Sequence, residues 1–123
     1  MKIEIDIDVK TQHIAQQSEP DNAKYVFAYT ITIVNRGGAP AKLLRRNWRI
    51  TDGSGQVEVV RGEGVVGQKP RLEIGESFQY TSGAILKTPV GAMEGSYEFT
   101  DDQGMLFDVP IPVFSLSIPN LVH

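Results

Sequence analysis

The chain has no cysteine, two histidines and a single tryptophan among 123 residues. Without cysteine there are no disulfides, thiolate metal sites or cysteine nucleophiles, and the composition fits a reducing compartment. The histidines, His13 and His123, lie in a polar N-terminal segment and at the C-terminus. Each reads as a solvated side chain, and together they give poor material for a general base or a multi-histidine metal centre. No G-x-S-x-G nucleophile elbow occurs. We therefore expect no enzyme, no catalytic residues and no cofactor. No apolar run approaches the ~20 residues of a membrane span. The N-terminus, MKIEIDIDVK, alternates charge with isoleucine and has no signal-peptide core. A cytoplasmic protein without a membrane partner is the expectation.

At this length the chain is expected to be one domain over residues 1–123, large enough to bury roughly two-thirds of its unfolded surface. Charged residues make up 22% and hydrophobic residues 41%, which argues against disorder and fibrous repeats. The net charge of −3 is unevenly spread. Eight of the twelve Lys and Arg fall between Arg36 and Arg71, with only three acids among them, Asp52, Glu58 and Glu63. Such a split can set a basic face beside an acidic one, although outward strand faces commonly carry solvated charge. The basic segment lacks the aromatic interleaving of single-strand nucleic-acid binders, so no nucleic-acid partner is expected.

Period-two alternation dominates. Ile3, Ile5, Ile7 and Val9 share one side of a strand over residues 2–9, with Glu4, Asp6 and Asp8 on the other. Residues 24–34, KYVFAYTITIV, are aromatic and β-branched on both faces and read as a central strand. After the turn NRGGAP (35–40), residues 43–51 alternate again. Residues 41–49 also fit a short helix, but the turn Asp52-Gly53-Ser54-Gly55 and the strand 56–60 directly after favour a hairpin. Further strands are expected at 71–74, 77–82, 95–100 and 105 to about 116, separated by turns at Gly75-Glu76 and 101–104 and a loop near 87–92. Pro110 and Pro112 place the last strand on a sheet edge. Seven to eight short strands without helical periodicity predict an all-β antiparallel sandwich of the immunoglobulin or fibronectin type III kind. Trp48 is assigned to its core. Phe78 and Tyr80 share a face, and Tyr80 or Tyr97 is a candidate for a corner hydrogen bond. The acidic pairs and triplets Glu4/Asp6/Asp8 and Asp101/Asp102 lack the spacing of a cation loop, so no metal is assigned.

Residues 61–67, RGEGVVG, place Gly62, Gly64 and Gly67 at the G-x-G-x-x-G spacing of a dinucleotide-binding turn. That reading requires a helix after the turn and an acid about twenty residues on. Instead Val65-Val66 are β-formers, Pro70 follows, and the residues around Ser82 include no carboxylate. The glycines are better explained by bulges or a crossing between sheets. One functional reading survives: the N–H groups of a glycine-rich turn can form an anion nest, with Arg61, Arg45 and Arg46 supplying charge for a phosphate-containing small molecule.

YVFAYTITIVN, LLRRNWRITDGSGQVEVVRGEGVVGQKP, LEIGESFQYTSG, TPVGAMEGSYEF and FDVPIPVFSL together make the chain resemble the ApaG family nearly end to end. The resemblance implies an immunoglobulin- or fibronectin-like sandwich in which the RGEGVVG segment is a hallmark. It implies no settled activity. ApaG domains also occur at the C-terminus of certain eukaryotic F-box proteins and in a polymerase-delta-interacting protein, which points to protein binding. The family is linked to cobalt and magnesium tolerance and, by gene neighbourhood, to diadenosine polyphosphate hydrolysis. Many members carry histidine where this chain has Asn47. The leading expectation is therefore a protein-interaction module that uses the surface near the basic segment and the glycine turn. The alternative is a pyrophosphate, nucleotide or cation-linked binding protein, and a homodimer through exposed sheet edges is a further possibility.

Overall fold

The computed structural model describes residues 3–119, in which eight strands form two antiparallel sheets. The first sheet has three strands in the order β1 (Ile5–His13), β2 (Tyr25–Asn35) and β6 (Ser77–Leu86). The second runs β4 (Val57–Glu63), β3 (Ala41–Asp52), β7 (Val90–Thr100) and β8 (Leu106–Ser117), with the two-residue β5 (Arg71–Leu72) also paired to β3. This is the expected all-β sandwich of the immunoglobulin and fibronectin kind.

The period-two pattern explains which faces meet. Ile5, Ile7 and Val9 turn inward against Ile31, Ile33 and their neighbours on β2, while Glu4, Asp6 and Asp8 face water. Residues 41–49 are strand, because Leu43 and Trp48 must reach the core while Lys42, Arg45 and Arg49 stay outside. Trp48 lies at the centre, with ring centroids 5.5 Å from Tyr29, 5.8 Å from Phe114 and 6.2 Å from Tyr97. Edge-on aromatic packing of this kind adds to the area each ring buries. The last strand lies at a sheet edge, as its prolines require, and a bulge opposite Met93 and Gly95 accommodates Pro112.

Three details differ from the sequence reading. β1 continues to His13, whose ring lies 5.4 Å from that of Phe27 and whose Nε2 is 3.2 Å from Ser18 Oγ, so this imidazole is a packed side chain rather than a solvated one. His123 lies outside the described residues. β7 begins at Val90, inside the expected loop, because pairing with β8 continues from Val90 to Thr100. Tyr80 and Tyr97 do not make corner bonds to backbone; their hydroxyls bond to each other across the two sheets.

Apart from the core tyrosines and tryptophan, Asn35 is the one fully buried polar side chain among the described residues. Its Nδ2 donates to the carbonyls of Ala39 (2.9 Å) and Leu72 (3.0 Å), and its Oδ1 accepts the Gly37 N–H at 3.0 Å. Its backbone accepts from Gly75 N–H (2.7 Å) and donates to the Glu76 carbonyl (2.9 Å). The residue joins the end of β2, the β2–β3 crossing and the β5–β6 crossing. Removing a buried amide leaves several groups unpaired at ~1–3 kcal/mol each, so Asn35→Ala is expected to lower the unfolding free energy by about 3 kcal/mol in urea titrations, with an unchanged m-value.

Candidate functional site

The glycine segment is a hairpin-like connection from β4 to β5, both of which pair with β3. It does not open a helix and does not cross between the sheets. Val65 N–H donates to the Gln68 carbonyl at 2.8 Å and Gln68 N–H to the Val65 carbonyl at 2.9 Å. Between them Val66 and Gly67 have φ of 43° and 80°, the positive pair that a type I′ turn demands. Gly64, at φ +63°, donates to Leu44 O at 2.7 Å, and a Cβ there would collide with the Gln68 carbonyl. Gly62 makes room for Arg46: a Cβ would lie 2.6 Å from its guanidinium.

The arginines are held by this connection. Arg45 faces Glu63 on one neighbouring strand and Glu98 on the other. It binds both, at 2.7 Å to Glu63 and through Nη1 to Glu98, while Lys69 adds a 2.9 Å contact to Glu63. Glu98 and then Glu63 raise the Arg45 pKa, and the Lys69 ammonium, then Arg45, hold Glu63 below the usual carboxylate range. Arg46, half-buried, donates from Nη1 to the carbonyls of Glu63 (3.0 Å) and Gly64 (2.9 Å). Arg61 is exposed and makes no ion pair among the described residues. Arg45, Arg46, Arg61 and Gly62 do line one shallow depression of about 300 Å³ with Asn47 and Glu63, whereas Gly64 and Gly67 stand outside it. The N–H groups of Gly64 and Val65 already have backbone acceptors.

Elsewhere, among the described residues, no group of three or more acids is placed to hold a metal ion. Asp6 meets Arg36, and Asp102 meets Arg71, which also binds Glu73. The two carboxylates raise the Arg71 pKa, and the Ser54 hydroxyl first of all lowers that of Asp52 in its turn. Burial pushes the Tyr80 hydroxyl up to about 12 and raises that of Tyr97 as well, so the inter-sheet pair is neutral at physiological pH.

Sequence reading missed a larger feature. β1 packs along β8 and closes one flank of the sandwich, but no comparable packing joins β4 to β6. The opposite flank is a groove of about 420 Å³ whose lining includes Tyr29, Trp48, Val60 and Ala84, with Arg46 on its wall. A smaller hollow of about 160 Å³ shares Ile50, Glu58 and Ile85 with it. The only sequence signal was negative: SFQYTSGAIL contains no charge and no proline.

The ApaG domain model matches residues 15–101. The chain belongs to the ApaG family. It is 54% identical over 117 residues to Protein ApaG of Escherichia coli (strain K12 / DH10B), covering 95% of this chain and 94% of that one, and matches Protein ApaG of Shigella boydii serotype 18 equally. A crystal structure of an ApaA protein from Bordetella pertussis, 45% identical, superposes with a TM-score of 0.94 and covers 97% of each chain. A second X-ray structure, 46% identical, gives 0.91 over 97% of this chain and 90% of the other. The family likeness thus extends over both sheets. Among the described residues no helix is long and apolar enough to cross a membrane.

The three glycines and Val66 have unequal conformational demands, which substitution can separate. Gly64→Ala, strained and colliding with backbone, is expected to cost at least ~2 kcal/mol, and Gly67→Ala, strained in open space, about 1 kcal/mol. Val66→Asn, creating the Asn-Gly pair preferred in type I′ turns, is expected to stabilise by about 1 kcal/mol. Thermal and urea unfolding of the three variants checks the order.

Proposed function

We propose that this ApaG-family chain is a non-enzymatic protein-interaction module, and that its open flank between β4 and β6 is the surface it uses. The observation that supports this reading is the unguarded edge of β6. Exposed strand edges invite pairing, and globular proteins protect them with charge, proline or bulges. β8 has Pro110, Pro112 and a bulge, β1 carries Asp6, Asp8 and Lys10, and β4 carries Glu58, Arg61 and Glu63. β6 has none of these over ten residues and pairs with β2 without a register shift. Ile85 on this strand is 64% exposed and lies on the groove lining. The packing of His13 against Phe27 and Ser18 also favours a structural over a catalytic use of that imidazole. A photo-crosslinking residue at Gln79 on β6 is expected to trap one stoichiometric protein in living cells, while the same residue at Asp108 on β8 traps none. Equal trapping at both positions, or none at Gln79, refutes the reading.

A second reading has one observation in its favour, the convergence of Arg45, Arg46, Arg61 and Gly62 on a single depression. A phosphate-containing small molecule there would be met mainly by Arg61, because Arg45 is already neutralised by two carboxylates. Pyrophosphate is then expected to shift the amides of residues 61–64 with millimolar affinity that Arg61→Gln reduces at least tenfold. Unchanged spectra at 10-fold excess over ~1 mM would remove this reading.

A further inference from the structure

The groove beside β6 lies between the unpaired edges of β6 and β4. We infer that its occupant is an extended segment of a partner protein, which pairs with β6 as a fourth strand of the first sheet, inserts alternate aliphatic side chains into the groove and sets a carboxylate against Arg46. The inference rests on the interaction reading above and specifies its partner.

Backbone and side chains of such a segment would each be met. A strand beside β6 takes up the N–H and C=O groups that β6 presents away from β2, and main-chain pairing of this kind supplies affinity with little demand on sequence. Every second side chain of the added strand would turn toward the second sheet. There it meets Tyr29, Trp48, Val60 and Ala84 beside about 420 Å³ of open space, which favours aliphatic residues at the alternate positions that face them, while Arg46 and Glu58 put one charge of each sign on the same lining. The intervening side chains would lie beside Gln79, Thr81 and Ile85 on the outer face and are unconstrained by charge.

Charge sets one end of the segment. Arg45 and Arg71 are each bound by two carboxylates, but among the described residues Arg46 makes no ion pair: it donates to the neutral carbonyls of Glu63 and Gly64, and Glu58 on the same groove lining does not bind it. Its guanidinium is half-buried on the groove wall and close enough to Tyr80 of β6 to influence that hydroxyl electrostatically. A partly buried guanidinium without an anionic partner is met most favourably by a carboxylate. A second copy of this chain fits less well. Antiparallel β6–β6 pairing would bring Tyr80, Ala84 and Leu86 of the second copy, which are already buried in their own core, and so would offer nothing to fill the groove.

The test uses the purified chain and capped octapeptides of alternating Val and Thr carrying one Glu at either the first or the last position. Trp48, the single tryptophan, lines the groove and reports by fluorescence, and hydrogen exchange locates the contact. One of the two peptides is expected to bind saturably below 1 mM and to slow exchange in β6 at least tenfold, without protecting β8. Replacing its Glu by Lys is expected to weaken binding at least tenfold. N-methylation of alternate residues on one edge of the peptide is expected to abolish binding, and on the other edge to spare it. Absence of saturable binding by both peptides, equal tolerance of the two N-methylation patterns, indifference to Glu→Lys, or self-association of the chain through β6 in light scattering would each overturn the inference. If Gln79 traps a partner that contributes a folded surface rather than an extended segment, the interaction role stands and this account of its partner falls.

Discussion

The structure depends most on the hydrogen bonds of Asn35. The chain leaves the first sheet after β2 and returns to it before β6, and both crossings pass this one side chain. A sandwich of two sheets has an apolar interior that holds the sheets together but does not by itself decide where the chain changes sides. Asn35 supplies that decision through polar groups that have no alternative partner inside the core, so its bonds to Gly37, Ala39 and Leu72 fix both crossings in register. The Tyr80–Tyr97 hydroxyl pair makes a second link between the sheets.

With the crossings fixed, β3 becomes the spine of the second sheet, flanked by β4 and β5 on one side and β7 on the other. Its alternation sends Trp48 inward and leaves Arg45 on the outer face between two glutamates. The glycine segment follows from the same arrangement. β4 and β5 run in the same direction along one edge of β3, and between them the chain makes a short excursion through a tight turn at 65–68 while Arg46 binds the carbonyls of Glu63 and Gly64. Gly62, Gly64 and Gly67 each relieve a different obstacle to this path. Their spacing coincides with a nucleotide fingerprint, but the physics is that of a type I′ turn and a buttressing arginine.

The two flanks of the sandwich are treated differently. On one, β1 and β8 approach each other and are guarded by charge, proline and a bulge. On the other, an uncharged β6 borders a groove lined by Tyr29, Trp48, Val60 and Ala84 together with Arg46 and Glu58. That asymmetry is the feature on which the proposal of an interaction module rests.

Much of this was determined by the sequence alone. Alternation from Ile3 to Val9, the two-faced apolar run of β2 and the prolines of β8 specify strands, their buried faces and one sheet edge, because side-chain periodicity and hydrogen-bonding capacity are local properties. Gly55, Gly75 and Gly104 marked turns for the same reason, and all three take positive φ. The candidate site was legible only in part: Arg45, Arg46, Arg61 and Gly62 do gather, yet neither the capture of Arg45 by Glu98, fifty-three positions away, nor the use of Arg46 as a backbone buttress is written in local pattern. Nor was the role of Asn35, which reads locally as turn chemistry. Only the tertiary structure decided which edges pair, which flank stays open and which charges are cancelled, since each of these depends on residues brought together from distant parts of the chain.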